Sequence, residues 1–186
     1  MSPHSIRTFG DPVLKTKAAD VTDIDGRFIR LHDDMLTTMY GAPGIGLAAP
    51  QVGVKQRFFV YDLGEPEDGE TQPFDGPGVL INPIIVEGDG EWAFEEGCLS
   101  IPGLSWEIIR PKTIHVVAID LEGNEISFEA DELFARLIQH EVDHLDGVLL
   151  LEHLNDDQRK EAKKILRERA LDSVEACGPT GDLRLP

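Results

Sequence analysis

Two histidines and a glutamate stand at the spacing of a metal-dependent hydrolase, as His140-Glu141-x-x-His144. Residues four apart on a helix share one face, so His140 and His144 can bind the same ion. Glu141 lies one step round the helix, within reach of a proton on a coordinated water. The pattern predicts a hydrolase, and the third metal ligand decides which kind.

The segment around this motif is expected to be helical. Its apolar residues recur at helical spacing over Glu129–Leu145, at Leu133, Phe134, Leu137, Ile138 and Leu145. Asp131 is expected to cap the helix and Gly147 to end it. We expect the three motif residues to share an inward face with Leu133 and Leu137. A buried helix whose histidines only satisfy hydrogen bonds is the alternative, which the joint spacing of two His and one Glu disfavours.

Several residues compete for the third ligand position. A catalytic zinc site has three protein ligands and one open position. One protease group supplies a third His where this chain has Leu150. Another takes a Glu from a following helix, and Lys164 stands near that place with Glu161 and Glu168 on either side, so this option stays open. Cys98 is the remaining strong candidate, because a preceding glycine and a following proline suggest a strand end or bulge that aims one side chain.

A glycine- and proline-rich segment, residues 41–51, lies between a helical stretch and a strand. Its composition predicts an irregular loop without regular structure. Glycines there let the backbone approach a ligand closely, and Gln51 ends the loop with an amide that can donate a hydrogen bond. An ordinary connector is the alternative for this segment taken alone.

Three segments together resemble the signature motifs of the peptide deformylases, in the order that the family has them. They are Gly44-Ile45-Gly46-Leu47-Ala48-Ala49-Pro50-Gln51, Glu96-Gly97-Cys98-Leu99-Ser100 and Gln139-His140-Glu141-Val142-Asp143-His144. The amino-terminal Phe9-Gly10-Asp11-Pro12-Val13-Leu14 is similar as well. The resemblance implies a metal-dependent hydrolase that removes the formyl group from formyl-methionyl nascent polypeptides and releases formate.

The resemblance also implies roles for single residues. Cys98, His140 and His144 would hold one divalent ion. Glu141 would transfer protons. The reaction's oxyanion would be stabilised by the Gln51 side-chain amide, the Leu99 backbone N–H and the metal. The substrate peptide would lie along Ile45, Gly46, Gly97 and Leu137. Two His and one Cys suit zinc, and imidazole also suits iron. The family implies Fe²⁺, with Zn²⁺, Ni²⁺ or Co²⁺ as replacements in a purified sample.

Other residues are expected around the substrate. The peptide is expected to add as a strand, with its methionine side chain in a pocket lined by Leu137 and Phe94. Glu96 is expected to orient a ligand histidine or to pair with Arg110, and an ordinary surface ion pair is the alternative. Arg136, where some family members have an apolar residue, is expected at the pocket rim.

Length and charge indicate one acidic globular domain. The chain has 186 residues, 41% of them hydrophobic, and a formal net charge of −18. We expect a single catalytic domain over residues 1–175 and a disordered tail over residues 176–186. The negative charge argues against general nucleic-acid binding. Because no long apolar run and no secretory signal are present, we expect a cytoplasmic protein without membrane contact. The family resemblance implies a bacterial one. Cys98 and Cys177 are expected to be reduced, because a disulfide would use up a metal ligand.

The overall pattern predicts an α+β fold, with antiparallel sheets packed around a central helix that carries HExxH. A first helix is expected from Asp25 to Met39. The strands are expected at Arg57–Leu63, Val79–Val86, Glu91–Cys98, Leu104–Ile109, Thr113–Leu121 and Glu125–Phe128. A C-terminal helix is expected from Asn155 or Asp156 to about Ser173. Its basic residues predict docking on ribosomal RNA near emerging chains, and a solvated helix is the alternative.

Two other function classes stay open. An HExxH zinc endopeptidase would cleave internal peptide bonds and would not need Cys98. A non-catalytic protein with a structural metal would close the fourth position with another Cys or His. The remaining histidines show no matching spacing, which counts against that class.

Overall fold

The computed structural model describes residues 3–64 and 76–176, with side chains as far as Arg169. The helices are α1 (Gly26–Gly41), α2 (Glu132–Leu145) and α3 (Asp156–Ala176). The strands are β1 (Gly46–Ala48), β2 (Phe58–Tyr61), β3 (Gly78–Asp89), β4 (Trp92–Cys98), β5 (Ile101–Arg110), β6 (Thr113–Ile119) and β7 (Glu125–Asp131). Short 3-10 turns occupy Pro12–Lys15, Ala49–Val52 and Leu150–His153.

In the described residues, two antiparallel sheets form the framework. One has five strands in the order β1-β2-β3-β6-β7, and the other is the β4–β5 hairpin. β1 is an edge strand that pairs only with β2 in the described part of the chain. The predicted α+β class with antiparallel sheets is confirmed.

Helix α2 packs its apolar side on the five-stranded sheet. Ile138 and Leu145 are fully buried in a cluster that also contains Phe59, Leu80 and Val116. Burying each such side chain contributes about 1.5–3 kcal/mol. This packing fixes the rotation of the helix and hence the direction of its histidines.

Asp131 stands at the N-cap of α2, as predicted, although its side chain makes no capping hydrogen bond. The helical pattern read from Glu129 begins too early. Residues 129–131 belong to β7, where Glu129 pairs with His115 and Asp131 with Thr113. The inward position predicted for Leu133 is wrong, since 40% of this residue is exposed. Leu133 lies in the first turn, at the open edge of the cleft described below, whereas Leu137 one turn later is buried.

The irregular loop predicted for residues 41–51 is also partly wrong. Gly46–Ala48 form β1, paired with β2 from Gly46↔Tyr61 to Ala48↔Phe59. The 3-10 turn Ala49–Val52 follows directly. Pro50 falls in the first positions of this turn, where no backbone N–H is needed, so the proline is compatible with regular structure.

The described chain forms two compact units, one ending at Leu150 and one beginning at Leu151. In the second unit, Asn155 caps α3 as predicted, because its Oδ1 accepts the N–H groups of Asp157 and Gln158 at 3.1 and 2.9 Å. The single domain over residues 1–175 stays a prediction. Cys177 and residues 177–186 of the predicted tail lie outside the described residues. Among the described helices, none has the length and apolar character that crossing a membrane requires.

Candidate metal centre and substrate cleft

One thiol and two imidazoles converge in the first unit. The ligand atoms of Cys98, His140 and His144 all lie within 4.8 Å of one another. The Cys98 sulfur is 3.2 Å from Nε2 of His144. The sequence placed both histidines on one helix, and the tertiary structure brings the cysteine to them from a different element.

The position of Cys98 follows from the β4–β5 hairpin. Cys98 is the last residue of β4 and pairs with Ile101, whereas the preceding Gly97 pairs with Ser105. The register therefore shifts between Gly97 and Cys98, which is the irregularity predicted from the neighbouring glycine and proline. The shift lets the strand end turn its thiol toward α2.

Glu96 is the centre of a buried charge network. Its side chain is 4% exposed and accepts hydrogen bonds from Arg110 Nε at 2.7 Å and Arg136 Nη1 at 2.7 Å. Its Oε2 lies 3.0 Å from Nδ1 of His140. Both predicted roles are therefore present, and the surface alternative is wrong. Because Nδ1 of His140 is engaged, Nε2 is left for the centre.

Glu141 is buried beside the backbone of β1. A Cβ atom added to Gly46 would lie 2.6 Å from Oε1 of Glu141, so only glycine leaves room for this carboxylate. The other oxygen, Oε2, is buried without a hydrogen-bond partner among the described residues. The carboxylate therefore keeps an unpartnered oxygen in the same site as the three side chains that could hold a metal ion.

The amide of Gln51 is held in one orientation. Its Oε1 accepts the Ala48 N–H at 2.8 Å, and its Nε2 donates to Ser100 Oγ at 3.2 Å. The same Nε2 lies 3.9 Å from the Cys98 sulfur. The donor end of the amide therefore points toward Cys98 and Ser100.

Burial and neighbouring charges act together on the ionisable groups of the centre. Burial opposes ionisation of the Cys98 thiol, but the charges of His144 and His140 and their hydrogen bonds to the sulfur outweigh it. The pKa of Cys98 therefore lies well below the ordinary thiol value. Burial also raises the pKa of Glu141 above the ordinary glutamate value, so this carboxylate takes up a proton more readily than an exposed one.

A cleft of about 720 Å³ opens onto the centre. Nine of the ten site residues predicted from the sequence line it, and His144 is buried behind them. Those nine are Ile45, Gly46, Gln51, Gly97, Cys98, Leu99, Leu137, His140 and Glu141. The structure therefore brings all the predicted residues to one place.

The apolar side chains predicted for the methionine pocket lie in the cleft, whereas the neighbouring Arg136 is more buried than predicted. Leu137 and Phe94 both line the cleft. Arg136 lines it too, but this residue is only 3% exposed, so its predicted place at the rim is wrong. It is buried because Glu96 and the carbonyl groups of Ile108 and Trp92 hold its guanidinium.

Sequence reasoning missed two participants. Ser100 is the last residue of the cysteine motif, and its side chain contacts Gln51. Asp143 pairs with Arg110 at 2.8 Å and so extends the Glu96 network. Asp143 lies on α2 one turn after the buried Gln139, and this spacing was the sequence signal that could have indicated its contact with the network.

The donor set suits a divalent transition metal. A thiolate with two imidazoles is a combination that zinc and iron accept, and three protein ligands leave a position for water or substrate. The low thiol pKa and the engaged Nδ1 of His140 supply the ionised sulfur and oriented imidazole that such a site needs.

Comparison with known proteins identifies the family. The model of the polypeptide deformylase family matches residues 3–160. The chain belongs to the polypeptide deformylase family. A peptide deformylase of Clostridium botulinum is 46% identical over 152 residues, which cover 82% of this chain and 97% of that protein. One from Alkalilimnicola ehrlichii is 45% identical over 182 residues, covering 97% and 99%.

The fold agrees with that of solved deformylases. The crystal structure of the peptide deformylase from Ehrlichia chaffeensis in complex with actinonin has a TM-score of 0.84 and 38% identity. The match covers 91% of this chain and 98% of that one. Family membership makes the chain a metal-dependent hydrolase that removes the formyl group from formyl-methionyl polypeptides. The endopeptidase alternative is not favoured.

Proposed function

We propose that Cys98, His140 and His144 hold one divalent ion and that Glu141 transfers the protons of deformylation. One observation carries the proposal: ligand atoms from two separate elements converge within 4.8 Å, beside a buried carboxylate with an unpartnered oxygen. When bound, the ion supplies a Lewis acid that acidifies a coordinated water at neutral pH. We expect Fe²⁺ in the cell and Zn²⁺, Ni²⁺ or Co²⁺ as replacements in purified samples.

The chain's own groups carry the remaining steps. Glu141 Oε2 accepts a proton from the attacking water and delivers it to the leaving amine. Gln51 Nε2 and the Leu99 N–H donate hydrogen bonds to the formyl oxygen as it gains negative charge. The burial of Gln51 and Glu141 keeps these groups out of bulk water and strengthens both interactions. The products are formate and a free amino terminus.

The substrate peptide lies along the edge strand β1. Ile45, Gly46 and Gly97 border the cleft, and an added strand would satisfy backbone groups there. Leu137 and Phe94 form the apolar wall against which the methionine side chain packs. Because the substrate emerges from the translating ribosome, we infer that the enzyme acts in the bacterial cytoplasm.

Formate release from a formyl-Met tripeptide tests the assignment of the centre. Cys98→Ala is expected to lose bound metal and activity, because one of three ligands is gone. Glu141→Ala is expected to keep its metal while turnover falls by about 10²–10⁴-fold, the range for general acid–base catalysis. A matched surface variant, Glu152→Ala in the second unit, should change neither. Retention of metal by Cys98→Ala, with turnover intact, would contradict the ligand set.

The identity of the working metal is tested by anaerobic loading. Apoprotein reconstituted with Fe²⁺ is expected to release formate faster per bound ion than the same preparation loaded with Zn²⁺. Metal content is measured on each sample by elemental analysis. Equal or greater turnover with Zn²⁺ would contradict the assignment of iron without affecting the assignment of the three ligands.

We also propose that the basic face of α3 docks on ribosomal RNA. Lys160, Lys164 and Arg167 are exposed and spaced i, i+4, i+7, so they share one face of the helix. The ion pairs from Lys160 to Asp157 and from Lys164 to Glu168 are 3.9 Å long and exposed, so they compete weakly with phosphate.

Ribosome co-sedimentation tests this docking. Changing Lys160, Lys164 and Arg167 to Glu is expected to abolish a salt-sensitive association, because three phosphate contacts become repulsive. A control of equal charge change, with Lys15, Lys17 and Lys55 altered to Glu, is expected to bind like the unaltered chain. Equal losses in both variants would mean that net charge, and not α3, governs binding.

A further inference from the structure

The hydroxyl group of Ser100 is buried against the amide of Gln51. Ser100 is completely buried, and Gln51 is 1% exposed. Gln51 Nε2 donates to Ser100 Oγ at 3.2 Å. The mechanism proposed above uses Gln51 and gives the serine no role.

The Gln51 carboxamide is fixed at both ends. Its oxygen accepts the Ala48 N–H at 2.8 Å, so the planar group cannot turn over without leaving that buried donor unpaired. Of the two hydrogens on Nε2, one is directed to Ser100. Nε2 also donates toward the Cys98 sulfur at 3.9 Å, so the other hydrogen is directed to the centre, and Gln51 lines the cleft.

Ser100 is itself firmly placed. It lies in the two-residue turn between Cys98 and Ile101, which pair across the β4–β5 hairpin. Its carbonyl accepts the Phe9 N–H at 2.9 Å, which joins the turn to the amino-terminal segment. The serine oxygen therefore stands at a set position relative to the thiol of Cys98.

We propose that Ser100 is a positioning residue for deformylation. Its hydroxyl accepts one N–H of Gln51 and so holds the other where the formyl oxygen gains negative charge. This inference rests on the proposed role of Gln51 as an oxyanion donor. A donor that is preorganised contributes more to the transition state than to the bound substrate.

Steady-state kinetics per bound metal ion test the inference. Removing an oxyanion donor typically lowers kcat by about 10²–10³-fold, which is the loss expected for Gln51→Ala. Ser100→Ala keeps the donor but loosens it, so kcat is expected to fall by about 10-fold with KM nearly unchanged. Ser100→Cys, which keeps a weak acceptor of similar size, is expected to lie between Ser100→Ala and the unaltered chain.

The double variant separates positioning from simple structural support. If Ser100 acts through Gln51, adding Ser100→Ala to Gln51→Ala lowers kcat no further. Multiplying losses in the double variant, or an unchanged kcat in Ser100→Ala, would overturn the inference while leaving the Gln51 role intact. An unchanged kcat in Gln51→Ala would overturn both. If Ser100→Ala does not fold, Ser100→Cys replaces it in the same cycle.

Discussion

At the scale of single residues, the carboxylate of Glu141 occupies space that is open only because residue 46 is a glycine. Gly46 lies so close that a Cβ atom would be 2.6 Å from Oε1 and 3.1 Å from Cδ of Glu141. The glycine therefore allows the Glu141 carboxylate to lie close to the β1 backbone. Gly46 in the glycine-rich motif thus leaves space for the buried Glu141 carboxylate.

Gly46→Ala is expected to abolish most of the formate release. The added methyl group displaces the Glu141 carboxylate, and a misplacement of about 1 Å can reduce turnover by about 10²-fold. Formate release and metal content are measured on the same sample. Gly41→Ala is the control, because a Cβ there meets nothing within 4 Å. Full activity in Gly46→Ala would show that the carboxylate tolerates displacement.

Glu96 shows how a charged group is tolerated in the interior. Arg110, Arg136 and His140 surround its carboxylate. Burial opposes the charge, but hydrogen bonds from His140, Arg110 and Arg136 outweigh that effect, so the pKa of Glu96 lies far below its ordinary value. Removing this carboxylate would take away the anion with which the buried guanidinium groups of Arg110 and Arg136 pair.

Glu96→Ala is therefore expected to lower the free energy of unfolding by about 3–5 kcal/mol, the usual loss when one partner of a buried ion pair is removed. It should also weaken metal binding by about 10–100-fold, since His140 loses its orienting acceptor. Urea unfolding and metal titration measure the two effects. Glu95→Ala is the control at the neighbouring residue, whose exposed side chain accepts a hydrogen bond from Ser105. It should change the free energy of unfolding by less than about 0.5 kcal/mol. Similar stability losses in both variants would contradict the network's role.

At the scale of elements, α1 supports the sheet that carries the edge strand. Phe28, Met35 and Met39 pack from α1 into a cluster with Leu47 of β1 and Phe58 of β2. The helix begins where Asp25 accepts hydrogen bonds from the N–H groups of Arg27 and Phe28. The stability of the first turn of α1 is expected to depend on pH, because the capping group of Asp25 is a carboxylate.

The pH dependence of the α1 cap has a defined sign. Hydrogen bonds from the Phe28 N–H, the Arg27 side chain and the Arg27 N–H lower the pKa of Asp25 from 3.8 to about 2. Because the folded-state pKa is the lower one, its stabilising effect is present above about pH 4 and fades as the pH falls toward 2. The unfolding free-energy gap between the unaltered chain and Asp25→Ala should shrink over that range. Asp25→Asn, which keeps the cap but does not titrate, should show a constant gap to Asp25→Ala.

At the scale of the whole molecule, the net charge of −18 dominates the electrostatics. Exposed ion pairs such as Lys17–Asp146 at 3.7 Å contribute about 0–1 kcal/mol each. The excess of 35 acidic over 17 basic residues produces a general repulsion that disfavours the compact state. Repulsion between many like charges should outweigh these few exposed pairs.

Salt is therefore expected to stabilise the protein. Raising NaCl from about 10 mM to about 150 mM shortens the Debye length from about 30 Å to about 8 Å and screens the repulsion. The Tm, followed by circular dichroism, should rise and then level off. KCl at the same concentrations serves as a control for specific ion effects and should give the same curve. A falling Tm would mean that attractive pairs prevail.

Local chemistry was readable from the sequence because it depends on neighbours along the chain. The i, i+4 spacing of His140 and His144 fixes their common face on any helix, and Asn155 before an acidic first turn marks a helix start. The end of β7 at Asp131 and the strand Gly46–Ala48 were mispredicted for one reason. In both places pairing with a strand distant in sequence, β6 or β2, decides the backbone conformation.

By itself, then, the sequence determined the chemistry: which groups can ligate, ionise or donate, and, through its motifs, which reaction they serve. Only the tertiary structure decided that the Cys98 sulfur meets the two imidazoles, that Glu96 is buried among cations and that Ser100 contacts Gln51. These outcomes depend on how a hairpin packs against a helix. Such packing is set by the summed burial of many side chains from distant segments, which no local spacing encodes.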